Sequence, residues 1–210
     1  MSLNINLFTN ASKPSRLLLD RLGALFKEMD RAYAAVAGQY GFQCNGCADN
    51  CCLTRFHHHT LIEYVYLMEG MQTLATGVQK KIDAQASAVC EALSAADRRG
   101  EPLRIMCPLN LGGQCLLYTY RPMICRLHGI PHELQRPGGG ITCMPGCDAF
   151  FDQCRRGGKT DYIRFDRTPL YRRMALLEKE MRQATGYTAP IKLTVAEMLA
   201  TRTENAYEID

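Results

Sequence analysis

Ten of the eleven cysteines in this chain fall into three groups that could bind metal. The groups are Cys44, Cys47, Cys51 and Cys52, then Cys107, Cys115 and Cys125, then Cys143, Cys147 and Cys154. Thiolates are ligands for zinc, iron and iron–sulfur clusters, and a CxxC pair such as Cys44–Cys47 can direct both sulfurs at one ion across a tight turn. A CxxC pair followed by further cysteines and a second group therefore predicts a metal site.

The adjacent pair Cys51-Cys52 bears on how many metal centres there are. Neighbouring side chains usually point in different directions, so both are not expected to bind the same compact ion. Two interpretations stay open. Either there are two separate centres, or there is one centre that the other thiol supports.

A third feature is Cys125, which lies between Arg121-Pro122 and Arg126. Proline is favoured in a first helical turn, so Cys125 should lie near free backbone N–H groups at a helix start. With the flanking arginines, we expect these groups to lower the pKa of the thiol and to offset the charge of a thiolate cluster. His128, one turn further on, is a candidate ligand or hydrogen-bond donor.

Other candidate residues carry a weaker prediction. His57, His58 and His59 could bind metal, but such a run more often flanks a site, and the spacing of the third cysteine group matches no known site. Both sets stay open as ligands. Cys90, beside Val89 in a helical pattern, is predicted to be a core residue. No pair of carboxylates suggests acid–base catalysis, so an enzyme is not the favoured prediction.

Composition favours a soluble protein of the cytoplasm. The net charge is only +4 and the basic residues are scattered, which argues against nucleic-acid binding. There is no long apolar run to span a membrane and no secretory signal at the N-terminus. In a reducing compartment, an odd number of cysteines reads as ligands and not as a disulfide scaffold. A protein partner is possible and is not identified by any motif.

The pattern predicts a mainly α fold (α+β), with a helical frame around an irregular cysteine-rich metal-binding core that contains short strands. We expect a single domain over residues 1–210, with an N-terminal helix at 12–40 and C-terminal helices at 168–202. The cysteine-rich core should cover 41–155 and include helices within 60–99. Apolar residues at helical spacing, capping boxes at Thr60 and Thr194, and glycines after the helix ends support these bounds. Short strands are expected at Leu103–Met106 and Leu116–Tyr120.

The segment from Gly41 to His128 resembles the YkgJ-type cysteine-cluster family, a zinc- or iron-chelating domain with the pattern CxxCxxCC, then CP, GxCxxY and RPxxCR. The matching motifs are Cys44–Cys52, Cys107-Pro108-Leu109, Gly113–Tyr118 and Arg121–Arg126. One departure is that three residues, not two, separate Cys47 from Cys51. The resemblance implies the metal-binding set Cys44, Cys47, Cys51, Cys52, Cys107, Cys115 and Cys125. Flagellin lysine N-methylases, which are distantly similar, carry a related cysteine element.

Three functions follow as hypotheses. The first is a metal-binding protein that holds an iron–sulfur cluster, with 4Fe-4S favoured, or zinc or iron, for redox chemistry or metal handling. The favoured cluster has three close cysteines and one remote one, as in Cys44, Cys47 and Cys51 with Cys125. The second is a structural zinc module for protein interaction. The third is a methyltransferase-like enzyme, although no glycine-rich cofactor fingerprint follows a strand.

Overall fold

The chain folds mainly as α-helices, and the structure, a computed structural model, describes residues 16–44, 51–136, 138–158 and 161–206. In this part of the chain the helices are α1 (Arg16–Tyr40), α2 (Leu61–Gln72), α3 (Thr76–Arg99), α4 (Met123–Leu127), α5 (Asp148–Arg156), α6 (Thr168–Thr185) and α7 (Val195–Ala206). Two antiparallel strand pairs are β1 (Asn110–Leu111) with β2 (Gln114–Cys115), and β3 (His132–Gln135) with β4 (Ile141–Met144). The prediction of a mainly helical fold with short strands is confirmed.

Helix α1 is the long amphipathic helix that the sequence predicts. Leu22, Leu25 and Met29 are buried along one stripe, which packs against α4 and α6. The helix ends at Tyr40, and Gly41 takes the left-handed conformation (φ 68°) that glycine adopts most easily. The sequence also predicts Ser12 as the N-cap of this helix and Pro14 in its first turn, and both lie outside the described residues.

The start of α2 follows the predicted capping box, but its end does not follow the prediction. The Thr60 hydroxyl accepts a hydrogen bond from the Glu63 N–H. The apolar spacing in the sequence predicts an end before Gly70, whereas the helix continues to Gln72. Gly70 has a packing role, because a Cβ atom there would lie 2.4 Å from the ring of Tyr120.

The remaining helices agree closely with the sequence. Helix α3 ends at the left-handed Gly100 and α6 at the left-handed Gly186, as expected. At α7, the Glu197 carboxylate accepts from the Thr194 N–H and the Glu197 N–H donates to the Thr194 hydroxyl, which completes the second capping box. Among the described helices, none has both the length and the apolar composition that crossing a membrane requires.

Both strand predictions in the middle of the chain are wrong. Leu103–Met106 has no regular structure, and the segment 116–120 ends in a 3-10 turn at Tyr118–Tyr120. Short apolar runs do not distinguish strands from other buried segments, and in the second segment the Tyr120 N–H donates to the Leu117 carbonyl at 2.8 Å, as in a turn. The sequence also predicts a turn at Gly112-Gly113, and the observed strands β1 and β2 flank these two glycines, which confirms it.

Two elements between residues 130 and 156 were missed. Strands β3 and β4 form a hairpin around the glycine run at 138–140, which we expected only as a flexible turn. Helix α5 follows directly and buries Phe150 and Cys154. Both elements are short, and their apolar residues are too few to give a clear period.

Substitution of Gly70 by alanine tests the close approach of α2 to Tyr120. The added methyl group would overlap the ring, so we expect Gly70→Ala to lower the free energy of unfolding by about 1–3 kcal/mol. Gly77→Ala in α3 is the matched control, because a Cβ atom there meets nothing within 4 Å. That control should be neutral or stabilising by about 0.4–1 kcal/mol. Urea unfolding of both variants measures the difference, and equal effects would contradict the packing of Gly70.

Candidate metal centre

Cysteines from each of the three groups line one large cavity of about 1180 Å³. The thiols that line it are those of Cys44, Cys51, Cys52, Cys107, Cys115, Cys125 and Cys147. Six of the seven predicted ligands are thus brought to the same cavity. The seventh, Cys47, lies outside the described residues.

Backbone hydrogen bonds connect the first cysteine group to the second. The Cys107 N–H donates to the Cys52 carbonyl at 2.9 Å, and the Asn110 N–H donates to the Cys107 carbonyl at 2.9 Å. Asn110 in turn pairs with Cys115 across the β1–β2 hairpin. Three cysteines far apart in sequence are therefore held by one continuous backbone network.

Cys107 and Cys115 have the same local environment. In each case the residue two positions later is a buried leucine, Leu109 or Leu117, whose N–H donates to the cysteine sulfur. Such a bond favours the thiolate. Burial acts in the opposite direction and more strongly, so the pKa of Cys107 is about 12 and that of Cys115 is also raised. The repeated Cys-x-Leu pattern is the sequence signal of this environment.

The neighbouring thiols Cys51 and Cys52 share a hydrogen bond. Cys51 keeps its proton and donates it, which raises the pKa of Cys51 and lowers that of Cys52 to about 6. The Asn110 side chain also bonds to the Cys52 sulfur and favours its thiolate. Both bonds therefore favour the thiolate of Cys52 over that of Cys51.

Cys125 lies on the one-turn helix α4, and Pro122 is the N-cap of that helix. The Met123 N–H donates to the Glu63 carboxylate at 2.7 Å, so the start of α2 fixes the start of α4. We expected the helix start and the arginines to lower the pKa of Cys125. Instead the pKa is raised well above its usual value, first by burial and then by repulsion from Cys107, Cys115 and Cys52. That prediction is wrong because desolvation outweighs the nearby positive charges.

The two predicted arginines are held by one carboxylate. Asp30 of α1 accepts from Arg121 at 2.8 Å and from Arg126 at 2.6 Å. The buried Arg126 guanidinium also stacks on the Phe26 ring, with its carbon 4.1 Å from the ring centre. Both arginines lower the pKa of Cys115, although less than burial raises it.

Among the histidines, His58 and His128 line the cavity and His57 and His59 do not. Two backbone hydrogen bonds hold His58 at the cavity. The His58 N–H donates to the Leu193 carbonyl at 2.7 Å, and the Leu193 N–H donates to the His58 carbonyl at 3.0 Å. Burial lowers its pKa to about 4, and its Nε2 atom has no hydrogen-bond partner among the described residues. The His128 ring packs edge-on against Phe56 and is likewise shifted toward the neutral form, since burial lowers its pKa.

The three cysteines of the third group lie in three different environments. Cys147 lines the cavity and is fixed by its N–H, which donates to the Gly129 carbonyl at 2.9 Å. Cys143 is exposed on β4, and Cys154 is buried in the core on α5. Cys90, predicted as a core residue, packs against Val89 and Leu93. Sequence spacing could not separate Cys147 from its neighbours, because neither strand β4 nor helix α5, between which Cys147 lies, was predicted.

The sulfurs share a cavity without converging on one point. Within residues 16–44, 51–136, 138–158 and 161–206, no group of three or more His, Cys, Asp or Glu side chains is placed so that it could hold a metal ion. Comparisons of the chain with protein-family models, with curated proteins and with solved structures found no match.

Proposed function

We propose that this protein binds a metal centre, an iron–sulfur cluster or zinc, through the cysteine thiolates of the large cavity, and that it serves redox chemistry or metal handling. The observation that carries the proposal is that six thiols predicted from the sequence line a single cavity with Cys147. Cysteines that act only as small apolar residues would be dispersed through the core, as Cys154 is. The resemblance to the YkgJ-type family supports the same ligand set.

The chemistry of the donors fits a cationic centre. Burial and mutual repulsion disfavour several thiolates at once, and a metal cation removes both costs because it neutralises the sulfurs as it binds them. The N–H donors of Leu109 and Leu117 and the amide of Asn110 are already directed at sulfur. Because the described sulfurs do not converge, loading requires rotation of cysteine side chains between staggered rotamers.

The residues divide into those that would hold the metal and those that would tune it. The thiolates of Cys52, Cys107, Cys115 and Cys125 would repel one another, so these four residues form the central set. Arg121 and Arg126 supply positive charge beside this set, and the neutral His128 can donate or accept one hydrogen bond. An iron–sulfur cluster would supply one-electron transfer, and zinc would supply a fixed cross-link.

A structural zinc module is the second candidate, and one observation favours it. Between residues 101 and 131 the described backbone has only the two-residue strands β1 and β2, a 3-10 turn and the five-residue α4. A segment with so few regular hydrogen bonds gains most from a metal, since the binding free energy of zinc becomes folding free energy.

Anaerobic purification followed by metal and acid-labile sulfide analysis tests the proposal. Iron with sulfide and broad absorption near 400 nm would establish a cluster, and colourless protein with stoichiometric zinc would establish the second candidate. We expect about one centre per chain. Protein that folds and holds neither metal, after reconstitution with each of them, would refute both candidates.

A further inference from the structure

The short helix that carries Cys125 has no cap of its own. Helix α4 has five residues, and its N-cap Pro122 has no side chain that could accept a hydrogen bond from the free N–H groups of the first turn. The acceptor comes from another helix instead, because the Glu63 carboxylate of α2 accepts from the Met123 N–H at 2.7 Å. A residue sixty positions earlier in the chain therefore takes the place of the missing cap.

The Glu63 side chain is itself fixed on both of its oxygens. Glu63 is buried, its second carboxylate oxygen accepts from the Thr60 hydroxyl at 2.6 Å, and its N–H donates to the same hydroxyl at 3.4 Å. Glu63 is not among the described residues that line the large cavity. It is therefore placed to orient a metal ligand and not to be one.

Helix α1 holds the same segment through its two arginines. Asp30 accepts from the Arg121 and Arg126 side chains, and the Arg126 Nε–H donates to the Arg121 carbonyl at 2.8 Å. Helix α1 thus fixes residues 121 and 126, and Glu63 of α2 fixes residue 123. Cys125 lies inside this segment, so its thiol reaches the cavity from a backbone that two other helices hold in place.

We propose that Glu63 is a positioning residue for the metal centre and that its carboxylate, through Met123, sets where the Cys125 sulfur lies in the cavity. The inference rests on the proposed function, because it concerns the placement of a metal ligand. The role depends on the reach of the side chain and on an acceptor oxygen, and charge is not required. Glutamine has the same length and an acceptor oxygen, whereas aspartate keeps the charge but is one methylene shorter.

Metal affinity, measured by chelator competition after anaerobic purification, tests the assignment. Glu63→Ala and Glu63→Asp should each weaken metal binding about 10–100-fold, as the loss of an outer partner of a metal site does. Glu63→Gln should bind metal within about fivefold of the wild type, because only the extra strength of a charged acceptor is lost. The opposite order, with aspartate restoring affinity and glutamine not, would overturn the proposal.

Glu178→Ala is the matched control for the loss of a buried carboxylate. Glu178 of α6 accepts from the Ile62 N–H at 3.0 Å and from Arg182 of its own helix, so it holds the same start of α2. Each alanine variant removes the acceptor of a backbone N–H at a helix start and should lower Tm by about 5 °C. Only Glu63→Ala should also lose metal affinity. An equal loss in both variants would overturn the positioning role.

A measurement that needs no metal separates this proposal from the proposed function. Iodoacetamide labelling of the purified proteins, followed by tandem mass spectrometry, gives the labelling rate of Cys125 relative to that of Cys107. Glu63→Ala should raise this ratio about tenfold, because α4 opens more often without its acceptor. Glu178→Ala should leave the ratio unchanged.

The labelling ratio decides the proposal even if the wild type holds no metal. In that case the proposed function fails, and an unchanged ratio in Glu63→Ala overturns the positioning role as well. If Glu63→Ala does not fold, Glu63→Asp takes its place and Glu63→Gln is the reference. Equal ratios in these two variants would then overturn the proposal.

Discussion

Replacement of Cys125 by serine is expected to remove most of the bound metal. Cys125 is half-buried and lines the cavity together with Cys52, Cys107 and Cys115. A serine hydroxyl neither ionises at neutral pH nor binds soft metals well. Loss of an outer partner of a metal site already weakens binding about 10–100-fold, so loss of a ligand should weaken it by about 100-fold or more. Metal content per chain after anaerobic purification, with a chelator competition, measures the effect.

Cys143→Ser is the matched control for this prediction. Cys143 is exposed on β4 and does not line the cavity, so its replacement should leave metal content unchanged. Cys147→Ser should reduce metal content if Cys147 joins the predicted set. Full metal content in Cys125→Ser would contradict the assignment of the central set, whatever the controls show.

Truncation of Phe26 to alanine is expected to destabilise the fold and to disturb the site. Phe26 is buried in α1, packs edge-on against Tyr66 at 5.3 Å and lies beneath the Arg126 guanidinium. Removal of a buried aromatic ring costs about 3–5 kcal/mol. Arg126 would lose its stacking surface as well, so we also expect weaker metal binding in the part of the variant that remains folded.

Leu17→Ala on the same helix is the control, because Leu17 is 65 % exposed. Its unfolding free energy should stay within about 0.5 kcal/mol of the wild type. Denaturant unfolding of both variants compares a buried and an exposed position of α1. A loss below about 1 kcal/mol for Phe26→Ala would mean that the ring does not belong to the core.

Most of the helical frame could be predicted because its signals are local. The capping boxes at Thr60 and Thr194 act over three residues, and the left-handed glycines at 41, 100 and 186 end helices without help from distant parts of the chain. Gly70 was misread for the opposite reason. Its role depends on Tyr120, which approaches α2 from a segment fifty residues away.

For the candidate site, the sequence could predict only which residues belong to it. Spacing and residue type grouped the cysteines that line the cavity, but the spacing of Cys143 and Cys147 contains nothing that separates an exposed thiol from one at the cavity. The direction of the pKa shift at Cys125 was also beyond the sequence. Desolvation of the Cys125 thiol determines the direction of this pKa shift, and the desolvation follows from the packing of α1, α2 and α4.

The bond between the Cys107 N–H and the Cys52 carbonyl also sets an order of events on the ribosome. The ribosome must add all of α2 and α3 after Cys52 before it reaches Cys107. At about 5–20 residues per second, Cys107 is added several seconds after Cys51 and Cys52. During translation they are separate nucleophiles, and the cavity assembles only when the nascent chain closes this long loop.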